Sequence, residues 1–183
     1  MVGQWDGAKS RFQSNLIPVG GTHPAEPYQS LLPLENAVQH WLDQPIGVLS
    51  QAIPLEGKLE AALYGSQVAA LFNQVQLTET GADFSCTSLG NDPVGLASPV
   101  TMRGVTAAYL FANTLVVLEV TEEVLRQTLE RCAAYFTLVD GQPQISEEFL
   151  LPKVEHYNYD FYAGLSYTCL LYTSDAADER SSV

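Results

Sequence analysis

ANTLVVLEVTEEVLRQTLERCAAYF, residues 112 to 136, changes its period partway along. The first nine residues have the β-branched density of a strand. The remainder reads as a helix, with Thr121 as its N-cap, Glu122 and Glu123 in a first turn that favours acids, and Arg126 and Arg131 further on. Val124, Leu125, Thr128, Leu129 and Cys132 form its inner stripe. Working outward, DGQPQ at 140–144 is turn chemistry, and VEHYNYDFYAGLSYT at 154–168 reads as a strand, a bend at Gly164 and a second strand.

Upstream, Ser66 is a candidate N-cap for a helix carrying Val68, Leu71, Phe72 and Val75 on one face, with Gly81 as its stop. Residues 82–89 are a short strand candidate, SLGNDPVGL after them is a turn cluster, and VTMRGVTAAYL reads as a short helix. Residues 46–52 have extended character, and Leu34, Val38, Trp41 and Leu42 fall on one helical face that Pro45 ends. Residues 1–33 are polar and rich in Gly and Pro, a linker or peripheral strand pair. Strands and helices in this order predict an α+β domain with a mixed β-sheet and packed helices.

Composition bounds the function. The 183 residues suffice for one sizeable core. The longest apolar stretch, 109–120, falls short of the roughly 20 residues of a membrane helix, so no membrane span is expected. A formal charge of −13 with eight Lys plus Arg leaves no basic stripe, which argues against a polymeric nucleic acid partner; a single small nucleotide remains compatible. The three Cys and three His show no metal-ligand spacing, so no metal or cofactor is assigned to these residues.

Four segments in order, NQVQLTETGADFS (73–85), residues 100–136, ISEEFLLPKV (145–154) and HYNYDFYAGLSY (156–167), resemble the C-terminal, substrate-binding domain of the 5′-nucleotidase family. Within that family they are most similar to its bacterial 2′,3′-cyclic-nucleotide 2′-phosphodiesterase/3′-nucleotidase branch. The resemblance covers residues 34–168. It implies a layered α/β/β/α domain, incomplete at its C-terminal side, from a periplasmic, cell-surface or secreted phosphohydrolase. A separate N-terminal metallophosphatase domain would be its partner and would hold a divalent metal pair. This domain would grip a small nucleotide or nucleoside and carry no catalytic residue itself.

The resemblance also implies a site. The nucleobase would lie between Phe111 and an aromatic of HYNYD, either Tyr157 or Tyr159, which share one strand face by two-residue alternation. Asn113 would contact the nucleoside or act as a turn residue, and Asp160 would accept a ribose hydroxyl or close a turn. Arg103 reads as a solvated side chain. SLGNDP lacks the Arg that 5′-nucleotidases tend to carry there, which favours the cyclic phosphodiesterase branch. Residues 169–183, CLLYTSDAADERSSV, resemble a translated sequencing adapter and are set apart from the fold. A non-catalytic ligand-binding module, or a surface structural module of the same fold, is the alternative.

Overall fold

In a computed structural model of the chain, residues 2–5, 12–16, 20 and 26–171 are described. The elements in order are β1 (Val2–Trp5), β2 (Phe12–Asn15), α1 (Glu26–Leu42), β3 (Pro45–Gly47), α2 (Lys58–Tyr64), α3 (Gln67–Thr80) and β4 (Ser85–Ser88). They continue as β5 (Val100–Thr101), α4 (Met102–Ala108), α5 (Glu122–Ala133), β6 (Phe136–Val139), β7 (Gln142–Ile145) and β8 (Asp160–Ala163). Short 3-10 turns stand at Glu147–Phe149 and His156–Asn158. The chain divides into two compact units, Met1–His40 and Trp41–Val183.

The class is α+β. Among the described residues the strands form four two-stranded antiparallel sheets, β1 with β2, β3 with β5, β4 with β8 and β6 with β7, in place of the single mixed sheet expected. In the first unit, β1 and β2 make the anticipated strand pair. α1 starts well before Leu34, because Pro33 lies inside the helix and does not end it.

In the second unit, caps fix the helices. Ser66 Oγ accepts from Ala69 N at 3.4 Å, Glu56 accepts from Ser66 Oγ and Gln67 N at 3.1 Å each, and Gly81 N closes α3 on Leu77 O. Thr101 caps α4 and Thr121 caps α5 in the same way, accepting from Gly104 N and Val124 N. α5 is laced by Arg126, which pairs with Glu123 at 2.8 Å and with Glu130. Its buried stripe is narrower than the sequence suggests: Cys132 is buried, Leu125 and Leu129 are half-buried, and Val124 and Thr128 face solvent. On α3 the buried face is Val68, Ala69 and Asn73, and Val75 lies outside it. Arg103 pairs with Asp43 at 2.6 Å on the surface, so it is exposed but not merely solvated.

Two clusters form the core. Cys132, Tyr135, Phe149 and Tyr159 make the first; Val68, Ala69 and Leu89 make the second. Phe161 on β8 packs against both. Asn73, 1% exposed, ties α3 to this strand: its Nδ2 donates to Phe161 O at 2.9 Å and its Oδ1 accepts from Ser85 Oγ at 2.8 Å. β8 ends at Gly164, whose φ of +87° and close approach to Phe84 Cα, 2.8 Å from where a Cβ would stand, admit only glycine. The second strand expected after Gly164 does not form.

The strand expected at 112–120 is also not formed. The backbone there carries no ladder, and Val116 and Leu118 are 66% and 73% exposed. β-Branched residues favour an extended chain, but a strand exists only where a neighbour supplies the matching row of donors and acceptors. Among the described residues, none of the helices is long and apolar enough to cross a membrane.

Two outcomes follow. Asn73→Leu, which removes the buried partner of Phe161 O and leaves Ser85 Oγ only its bond to Gln76 Oε1 at 2.5 Å, will lower stability by about 1–3 kcal/mol in chemical denaturation of the chain. Val117→Lys, which places a charge in the exposed LVVL run, will reduce aggregation measured by light scattering while leaving the denaturation midpoint nearly unchanged.

Candidate nucleoside cleft

The last turn of α4 is pinned by buried Ala108, and Tyr109 then meets Phe72 edge to face with centroids 5.2 Å apart. From this anchor the chain turns outward. Phe111 is 66% exposed, and Asn113 N donates to Phe111 O at 2.9 Å, a three-residue turn that brings Asn113 back beside the ring. Tyr157, which lines the same cleft as Phe111, sits in the 3-10 turn His156–Asn158. Lys153 Nζ donates to the Tyr157 hydroxyl at 2.8 Å and lies 5.1 Å from its ring centroid. Leu89, Gly90 and Pro93, from the loop after β4, line the cleft as well. The resulting cleft, open to solvent, is lined by Phe111, Asn113, Tyr157 and Tyr109 together with that loop.

The structure therefore brings together Phe111, Asn113 and Tyr157. Tyr159 is elsewhere: it is 7% exposed, its hydroxyl donates to Ala62 O at 3.0 Å, and its ring packs against Tyr135 with centroids 4.8 Å apart. The shared strand face expected for the two tyrosines does not exist, because Tyr157 belongs to a 3-10 turn and β8 begins only at Asp160. Asp160 pairs with Ser88 in the β4–β8 ladder and does not line the cleft; burial raises its carboxyl above the ordinary value.

The same loop, through Leu89 and Gly90, also borders a second, small cavity lined in part by Lys58, Tyr135, His156 and Tyr159. Lys58 Nζ donates to Gly90 O at 3.1 Å; desolvation lowers its pKa, opposed by Asp92. Tyr135, pushed up to about 12 by burial, stays protonated and lies 2.7 Å from His156 Nδ1. His156 is held below its ordinary value, first by desolvation and then by Lys58, with Asp92 opposing. Spacing did not point to His156 or Lys153 as neighbours of the cleft. The only sequence signal for the floor was the SLGNDP turn cluster.

Fold and site together define an α+β domain with two linked cores and an aromatic-walled cleft at their edge. Residues 46–179 match the family model of the 5′-nucleotidase, C-terminal domain, and the chain belongs to that family. The match starts later than residue 34 and runs into the segment set apart as adapter-like, of which residues 172–183 lie outside the described residues. The chain is 27% identical over 158 residues to a 2′,3′-cyclic-nucleotide 2′-phosphodiesterase/3′-nucleotidase of Haemophilus influenzae, covering 75% of this chain and 24% of that protein. It also resembles a crystallised protein assigned as a 5′-nucleotidase from Staphylococcus aureus, in complex with alpha-ketoglutarate, with a TM-score of 0.73 and 33% identity over 82% of this chain and 29% of that one. The chain thus spans about a quarter of the length of each of these bacterial relatives.

The imidazole gives a pH outcome. Because the folded pKa of His156 is lowered, the stability it contributes is fully present above the unfolded value of 6.5 and is lost as pH falls through that value toward the folded one. Denaturation midpoints measured from pH 7.5 down to 5 will fall more steeply for the native chain than for His156→Gln.

Proposed function

We propose that this chain is the nucleotide-recognition domain of a larger, metal-dependent phosphoesterase, holding the base between Phe111 and Tyr157 and the sugar through Asn113. The observation that carries this reading is the convergence of those three side chains, from two segments distant in sequence, on one cleft. A nucleobase offers two π-faces, and stacking on aromatic side chains contributes roughly 1–3 kcal/mol per base with little preference among bases. The exposed amide of Asn113 supplies a donor and an acceptor at the cleft mouth, the pair a ribose hydroxyl needs.

The parent enzyme, in this reading, hydrolyses phosphate esters of nucleotides, whether 2′,3′-cyclic, 3′ or 5′, in nucleotide catabolism at the periplasm, cell surface or outside the cell. Its divalent metals belong to a separate metallophosphatase domain. Among the described residues, no three His, Cys, Asp or Glu side chains are grouped as a metal set. Its part is binding and orientation: the cleft fixes the nucleoside, and the ester projects from the open side toward a partner domain. The names of the relatives, a nucleotide phosphodiesterase and a 5′-nucleotidase, support the substrate class.

Titration of adenosine and uridine into the chain, followed by tyrosine fluorescence, tests this. Phe111→Ala and Tyr157→Ala will each weaken binding roughly five- to hundredfold, the range that 1–3 kcal/mol of stacking sets. Tyr159→Phe, which alters a core hydrogen bond, will change the affinity little. Native affinity in both alanine variants would sink the stacking role. Alpha-ketoglutarate displacing neither nucleoside would separate this cleft from a general carboxylate site.

A further inference from the structure

We infer that Asn91 is the positioning residue of the cleft, holding Tyr157 at stacking distance by clamping the floor loop to the wall; the inference rests on the stacking role proposed above for Tyr157. Asn91 belongs to the loop after β4, between Leu89, 8% exposed, and buried Pro93. Lys58 holds that loop from behind through Gly90 O at 3.1 Å. From this fixed base the Asn91 amide reaches the other segment with both of its ends. Its Nδ2 donates to Val154 O at 2.8 Å, and its Oδ1 accepts from His156 N at 3.0 Å.

The two backbone groups flank Glu155, so the side chain acts as a strand rung, presenting a donor and an acceptor to alternate residues as a peptide unit would. The residue after the second contact is Tyr157. Other bonds tie this segment to residues that do not line the cleft. Glu155 N donates to Phe149 O at 2.9 Å and Asn158 N to Glu155 O at 3.0 Å. On the buried side, Tyr135 holds the His156 ring at 2.7 Å. Asn91 alone among these partners belongs to the loop that lines the cleft, and so it sets the position of the Tyr157 wall relative to the floor.

The role demands an amide. Asp retains the acceptor for His156 N but turns a carboxylate on Val154 O; Ala loses both contacts. Neither change touches a ligand directly.

A double-mutant cycle on the whole chain tests this, with adenosine as the probe. Asn91→Ala is expected to weaken adenosine fivefold or more, Asn91→Asp by less, and Asn91→Ala made on top of Tyr157→Ala to add under twofold. Far-UV circular dichroism and the denaturation midpoint are read on every variant, and if Asn91→Ala does not fold, the Asp variant carries the cycle. A lowered midpoint with native affinity would make Asn91 a purely structural tie and overturn the inference, as would a loss that adds in full to that of Tyr157→Ala. If Tyr157→Ala itself binds adenosine as the native chain does, the stacking role has failed and the inference goes with it. If Tyr157→Ala weakens binding and neither Asn91 variant does, the inference alone has failed.

Discussion

The buried amide of Asn73 is the constraint on which the second unit depends. A side-chain amide with 1% exposure is costly to bury without partners, and here it has two, the carbonyl of Phe161 and the hydroxyl of Ser85. Those partners lie on β8 and β4, so one side chain of α3 fixes the helix against both strands of a sheet. Phe161 at the same point packs into both hydrophobic clusters. Directional hydrogen bonding sets where β8 lies along the helix, and apolar burial on either side of it provides most of the driving force.

From that fixed strand the cleft is reached by short steps. Tyr159, the residue before β8, locks into the first cluster through its ring and its bond to Ala62 O. The chain preceding it has only the 3-10 turn in which to present Tyr157 outward. The opposite wall descends from α3 by another path, through Phe72 against Tyr109 and then to Phe111. Both walls therefore refer back to the same helix, although no backbone ladder joins them.

What the sequence made legible was local chemistry. Ser66 and Thr121 announce their helices because a cap bonds within its own first turn, and Asp140 with Gly141 marks a two-residue hairpin turn whose φ values are both positive, 51° and 74°. α2 escaped notice because Gly57 caps it without a side-chain bond, and the start of α1 because Pro33 reads as a break. The β-branched run at 112–120 showed a strand preference and could not show whether a neighbour was present to pair with it. For the site, the family resemblance implied Phe111, Asn113, Asp160 and one of two tyrosines; that Tyr157 and not Tyr159 lines the cleft depends on where β8 begins, which the sequence did not show. Asn91 lies 63 and 65 residues from its partners, a relation no spacing rule reaches.

Phe111 and Tyr157 come from separate segments and line one cleft with the loop that holds Gly90, so a sandwich between them would gauge thickness more than outline. Under the proposed reading, purines and pyrimidines are equally thin and enter alike, while a base whose ring has been saturated is puckered and does not. The cleft would then sort its ligands by aromaticity, and any finer choice among nucleotides would fall to whatever grips the phosphate.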